Sequence, residues 1–238
     1  MSDERYVHAW LLRLDPAWRR RSADERSADI DGFSEAAGRA ESRLIQHAYS
    51  TIGLRAEGDL LLWRMAESIE AIEGSAADLL SAGIGQWLTP SISMIGLTRP
   101  SQYVKRPTTQ EQSLFTGERS TYLVVYPFTK SIEWYLASAE ERQKVMKGHM
   151  RIGHQYPQIR QLLAYSFGLD DQEFIVAYET DDLVAFQDLV RDLRATESRR
   201  STVRDTPIIT GIHRPLGEIL GLLSPSDRTS STCGSATG

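Results

Sequence analysis

Apolar and polar positions alternate or recur along the chain so as to divide it into two runs of the same order. Positions 6–14 alternate as a strand, and Asp15-Pro16 opens a charged helical stretch reaching about Ala40, with a break expected near Gly32. Positions 42–51 read as a second strand, Gly53 to Gly58 as a turn and 59–66 as a third strand. Over 68–87, Ile69, Ile72, Ala76, Leu79 and Leu80 recur at helical spacing, and a strand follows Pro90 over 91–97.

The second run has strands at 122–128, 158–166, 173–179 and 207–212, helices at 138–148 and 181–195, and a turn at 168–171. In its first strand Tyr122, Val124, Tyr126 and Phe128 share one face and Leu123 and Val125 the other, with Pro127 expected to end strand hydrogen bonding. Ser138 followed by Glu141 is a capping box. On the helix it starts, Val145, Met146, His149 and Ile152 share a face, so an imidazole closes an apolar stripe.

An offset of 115 positions relates the runs: Gly53 falls on Gly168, Tyr6 falls beside Tyr122, and Ile92 and Ile95 fall inside the last strand. Strand–helix–strand–strand–helix–strand is the ferredoxin-like split unit. Two tandem copies predict an α+β fold, a dimeric α/β barrel within one chain with the helices outside. The expected division is a first repeat over 1–97, a linker over 98–121, a second repeat over 122–224 and a disordered tail over 225–238. The linker is long for a connection, a length typical of lids and site walls.

Composition narrows the function classes. Hydrophobic content of 41% and charged content of 25% are those of a soluble globular protein. A net charge of −5 weighs against a general nucleic-acid binder. The single cysteine, Cys233, lies in the tail, which excludes an internal disulfide and a thiolate zinc cluster and suits a reducing compartment. With no signal design at the N-terminus and no apolar run long enough for a membrane span, the expectation is a cytoplasmic protein without a membrane partner.

No phosphate-cradling glycine loop, Gly-x-Ser-x-Gly or Cys–His pair is present. The five histidines, His8, His47, His149, His154 and His213, form no metal cage by local spacing, but a haem iron needs only one axial histidine. On pattern alone His149 is either a satisfied structural residue or such a ligand. His154, about 140° further round a helix of 3.6 residues per turn, does not share its face and is the fallback ligand. Tyr126 on pattern alone is a ring burying itself in a sheet, and Lys130 an exposed lysine.

Tyr-Pro-Phe-Thr-Lys at 126–130, Glu-Trp-Tyr-Leu at 133–136, then Glu-Glu-Arg and His149, resemble the core motif of the chlorite dismutase family, most closely its coproheme decarboxylase branch. GLDDQEF, YETDDL, FQDLVRDLRATESRR and TPIITG extend the likeness over 122–211; before that it is thinner, chiefly IGLTRPSQY at 95–103. The resemblance implies the barrel fold, assembly into rings of five, and haem b or iron coproporphyrin III as the bound group. It makes His149 the iron ligand and Glu197 the acceptor of that ring's other proton. It makes Tyr126 the residue that becomes a radical, and Lys130, with Arg194 and Arg199, the cations that neutralise porphyrin carboxylates; Trp134 falls within the same motif.

In chlorite-dismutating members an arginine stands seven residues before the glycine of the Gly-Leu-Asp-Asp turn; here that place holds Gln161. Arg160 is adjacent but on the opposite strand face. The expected activity is therefore hydrogen-peroxide-dependent decarboxylation of propionates 2 and 4 of coproheme, giving haem b. The alternatives are chlorite dismutation or peroxidase chemistry on haem b, with Arg160 or a linker arginine on the distal side, and non-catalytic haem binding. The linker lacks the distal histidine of actinobacterial members, leaving Glu111 or Gln112 to stand in, or no base to be needed if peroxide reacts as its anion.

Overall fold

The computed structural model describes residues 4–99 and 118–224; most of the linker, with Glu111 and Gln112, and the tail with Cys233 lie outside them. Strands β1 (Tyr6–Leu14), β2 (Ile45–Ser50), β3 (Leu60–Ala66) and β4 (Leu88–Thr98) form the first antiparallel sheet. The second sheet comprises β5 (Tyr122–Lys130), β6 (Arg160–Tyr165), β7 (Phe174–Thr180) and β9 (Ile209–His213), with the short β8 (Thr202–Arg204) on the end of β5. Their orders, β4-β1-β3-β2 and β9-β5-β7-β6, are the same ferredoxin-like order. The sheets join through β2–β9 and β4–β6, and because β5 pairs with both β9 and β7 the ring closes. This is the expected α+β barrel, and closure leaves its ring of strands without a free edge.

Alternation places Val7, Ala9, Leu11, Leu61, Trp63, Leu123, Val125, Ile175 and Ala177 in the barrel interior, fully enclosed. Side chains of opposite parity point outward to the helices. Those are α1 (Ala23–Ala40), α2 (Ile69–Ser81), α3 (Ile132–Leu136), α4 (Ala139–Gly153), α5 (Leu183–Arg194) and α6 (Leu216–Leu223). Among the described residues no helix is long and apolar enough to cross a membrane.

The repeat holds in detail. Gly53 and Gly168 both adopt positive φ, 71° and 69°, the left-handed turn that favours glycine. Ser22–Glu25 caps α1 as Ser138–Glu141 caps α4, with both halves of each capping box formed. Cross-strand register refines the single offset. Inward positions match only if β1 maps to β5 by 116 residues, β2 to β6 by 115 and β3 to β7 by 114.

Several local expectations are corrected. Pro127 does not end its strand: it pairs in register with Ile175, and β5 continues to Lys130. The Thr121 carbonyl accepts from His213 N, so odd-numbered backbone groups of β5 face β9, whose pairing stops at Val125. The N–H that proline lacks is on the side where no bond was to be made. The break in the first helical stretch falls at Arg21–Ser22, between a 3-10 turn over Pro16–Arg20 and α1, and not at Gly32. The stretch 68–87 is likewise α2 followed by a 3-10 turn over Gly83–Trp87. Helix α3 and strand β8 were not expected.

The two outer layers differ in how densely they are filled. Between α1, α2, α6 and the first sheet lie sixteen buried residues, among them Trp10, Trp18, Phe33, Leu62 and Leu79. Between α4, α5 and the second sheet the corresponding apolar cluster has, among the described residues, three buried members, Ile159, Tyr178 and Leu189. The capping match sets Phe33 of α1 at the place of His149 in α4, so the first repeat fills with a phenyl ring the place the second keeps for an imidazole.

The first repeat also carries a pH-sensitive group. His8, 4% exposed, is held down to about 3 by burial and then by Arg64, whose guanidinium lies 3.3 Å from its Nδ1. A folded pKa below the unfolded 6.5 means stability is complete above pH 6.5 and is lost as pH falls towards 3. His8 alone should cost about 2 kcal/mol by pH 5. His47, held down to about 4 by burial but more exposed, should add less. Burial of His149, held down to about 4, adds a comparable loss. Chemical denaturation of the ligand-free protein at pH 7.5 and 5.0 measures the difference, and His8→Asn should reduce it without abolishing it.

Candidate functional site

The outward face of β5, β7 and β6, under α4 and α5, gathers most of the residues singled out from the sequence. Tyr126 lies opposite Val176, and Tyr178, two residues along β7, lies between Val124 of β5 and Gln161 of β6. Tyr126, Tyr178 and Gln161 therefore share one face of three adjacent strands. Ile152 and Tyr156 at the end of α4, and Phe186 and Leu193 of α5, pack over the tyrosines.

Helix α4 follows from its sequence: the capping box, acidic Glu140 and Glu141 in the first turn and basic Arg151 in the last. It extends past Gly148 to Gly153, which carries His149 inside the helix. The His149 ring is held down to about 4 by burial, with Lys130 adding to the effect, so it is neutral at physiological pH with a nitrogen lone pair available. Its Nδ1 is enclosed and makes no hydrogen bond. Glu197, the partner implied for it, opens a 3-10 turn over Glu197–Ser201 and lines a cleft of about 270 Å³ with Gly148 and Ile152, but does not bond to the ring. His154 caps the C-terminus of α4 and lines a different concavity with Lys144, Lys147 and Arg151.

Lys130 departs from expectation: it is inside the strand and 8% exposed, behind a bulge at Thr129–Lys130. Its Nζ donates to Ser198 O at 3.1 Å and Ser198 Oγ at 3.0 Å and lies 4.5 Å from the Trp134 ring centre and 5.3 Å from that of Phe128. Burial holds it down to about 8, with Arg199 contributing. Trp134, on α3 and 7% exposed, thus acts on the site through Lys130. Arg194 and Arg199 converge on Asp205 at 3.4 and 2.5 Å. Arg194 and Asp205 both act electrostatically on Tyr126, whose hydroxyl burial pushes well above its usual range.

Arg160 does not reach this face. It pairs with the fully buried Glu179 at 2.8 Å and donates to Glu118 O and Ser120 Oγ. Glu179 also accepts from Tyr49 at 2.7 Å, so Arg160 belongs to a polar cluster on the inner face of the barrel. That removes it as a distal cation.

Sequence reasoning missed Tyr178, which is 5% exposed with its ring centre 6.3 Å from that of Tyr126 and the planes 28° apart. It also missed a run of rings continuing the same face: Phe128–Phe174 at 6.2 Å, Phe174–Tyr165 at 5.5 Å, Phe174–Phe167 at 5.0 Å and Phe167–Tyr135 at 5.9 Å. Parity along β7 (Phe174, Val176, Tyr178) was the available signal. Among the described residues no cluster of three or more potential ligands exists to hold a bare metal ion. A neutral imidazole, a phenol and three cations beside an aromatic sheet face instead suit a flat, carboxylated, iron-bearing ligand.

The comparisons with known proteins agree with this geometry. The family model described as chlorite dismutase matches residues 25–214. A coproheme decarboxylase from Mycolicibacterium smegmatis is 35% identical over 170 residues, 71% of this chain and 72% of the relative. The crystal structure of a mutant chlorite dismutase from Candidatus Nitrospira defluvii superposes with a TM-score of 0.84 at 25% identity, covering 92% of this chain and 95% of that one. An imidazole complex of the Nitrospira protein gives 0.85 at 24% identity, covering 93% and 96%; it supports the fold.

Proposed function

The chain belongs to the chlorite dismutase family, and we propose that within it the protein is a coproheme decarboxylase, making haem b from iron coproporphyrin III with hydrogen peroxide. The observation that carries this reading is the pair formed by Tyr126 and Gln161 on one sheet face, with Arg160 turned to the other. On this reading Tyr126 meets the propionate, and Gln161 holds the place where chlorite-dismutating members carry an arginine. The coproheme decarboxylase relative supports the same choice.

The residues present fit the porphyrin. His149 offers a lone pair on a ring already neutral, and its enclosed, unpartnered Nδ1 is a donor ready to turn to Glu197. Lys130 retains one N–H after its two bonds to Ser198, and Arg194 and Arg199 hold one another's charge through Asp205. Several carboxylates need such cations, since burying them unpaired would be prohibitive. When bound, the iron porphyrin supplies the oxidising power that peroxide brings. Tyr126 then gives up its hydroxyl hydrogen and recovers one from the β-carbon of the nearby propionate. Each propionate carboxylate loses CO2, one proton and two electrons and becomes a vinyl group; one peroxide takes up those two electrons with two protons and leaves as two waters.

The protein should be titrated with iron coproporphyrin III, treated with peroxide and the porphyrin followed by mass spectrometry. Loss of two CO2 per porphyrin supports the reading; unchanged mass with tight binding removes it in favour of haem carriage. Oxygen release from chlorite would favour chlorite dismutation instead. A five-subunit ring is proposed with the same activity, and sedimentation of the loaded protein tests it.

A further inference from the structure

We propose that Tyr178 is a positioning residue for Tyr126, its hydroxyl fixing where the Tyr126 O–H points. This rests on the reading of Tyr126 as the hydrogen-transferring residue. Tyr178 is diagonal to Tyr126 across β5 and β7, so the rings reach one another over a backbone that closure of the barrel holds rigid. The rings stack, Phe186 backs Tyr178 at 5.3 Å, and the phenol is 5% exposed. Each hydroxyl acts on the other, so the two phenols lie within reach of one another.

The first repeat shows that this position serves its neighbour there too. By register Trp10 stands for Tyr126 and Arg64 for Tyr178; the Arg64 guanidinium lies 5.1 Å from the Trp10 ring centre, and its Nη1 reaches His8. In each copy the β3 or β7 residue supports the ring on the first strand. Only in the second is the supported ring a phenol beside a histidine-bearing helix. Once Tyr126 has lost its hydrogen, its oxygen can only accept, and the Tyr178 O–H can turn to donate to it. A hydrogen bond from Tyr178 then holds that oxygen in place, and Tyr178 itself gains or loses no proton.

The full-length protein and Tyr178→Phe are compared, loaded with iron coproporphyrin III and given peroxide. Turnover at saturating porphyrin should fall about ten- to a hundredfold, with porphyrin affinity unchanged. The tyrosyl radical trapped by rapid freezing should show a larger low-field g value in electron paramagnetic resonance, the mark of a lost hydrogen bond. In the ligand-free protein, Tyr126→Phe and Tyr178→Phe should be non-additive, the double variant melting no lower than the less stable single one. Wild-type turnover and g value in Tyr178→Phe overturn the inference. A fall in turnover with an unshifted g value also overturns it, since packing alone would do that. If the phenylalanine variant does not fold, 3-fluorotyrosine at position 178 replaces it, and an unshifted g value counts equally against the inference. Full turnover in Tyr126→Phe removes the underlying reading; an inactive Tyr126→Phe beside a normal Tyr178→Phe removes this one alone.

Discussion

Tyr126→Phe should bind iron coproporphyrin III as the wild type does and yet return it unchanged after peroxide, with both decarboxylations slowed by at least about a thousandfold, about 4 kcal/mol of barrier. The substitution removes one oxygen and keeps the ring that packs with Tyr178, Ile152 and Phe186. Phenylalanine has no weak O–H to give, so on the proposed reading hydrogen transfer loses its carrier. The fold should survive with a melting temperature within a few degrees, because the lost hydroxyl bond is worth about 1 kcal/mol. Mass spectrometry of the porphyrin and the Soret titration separate the two effects. Full vinyl formation in the variant would show that another group carries the hydrogen.

His149→Ala should produce the opposite split. If the imidazole is the iron's protein ligand, as proposed, affinity should fall by about a hundredfold or more, beyond the 10–100-fold typical of losing a partner that merely orients a ligand. The apo fold should be little affected, since the ring is only partly enclosed and its Nδ1 bonds to nothing. Added imidazole should restore the spectrum of an axial nitrogen ligand, whereas His154→Ala should change nothing, because His154 lies at the helix end on another concavity. Unaltered binding by His149→Ala would make His149 a packing residue.

The architecture was legible in the sequence because duplication writes it twice. One offset, visible at Gly53 and Gly168, announces two copies of a unit whose order is known, and the barrel follows. What the offset hid was its own drift from 116 to 114, which only cross-strand register exposes. Pro127 was misread for a related reason. Proline breaks a ladder only if its missing N–H was wanted, and that depends on where β9 stops, a fact of tertiary structure.

Motif and spacing singled out His149, Tyr126, Lys130 and Gln161; their surroundings were not legible. The bulge that buries Lys130 against Ser198 leaves no local signature, and Arg160 and Gln161 were separated only by parity, which the structure turns into opposite sides of a barrel wall. Tyr178 was invisible because its meaning comes from the residue diagonal to it on another strand. Asp205 escaped notice too, since its two arginines approach it from the end of α5 and the 3-10 turn after it.

The unequal filling of the two layers divides labour between the copies. Helix α1 buries Phe33, Ala36, Ala37 and Ala40, while α4 has no fully buried residue, His149 included. Its amides should therefore exchange with deuterium through small openings of α4 alone, while those of β1 and β3 await global unfolding. On the proposed reading, duplication should yield one slow-exchanging copy that holds the barrel shut and one fast-exchanging copy on whose side the porphyrin binds. Porphyrin should slow exchange in α4 and leave α1 as it was.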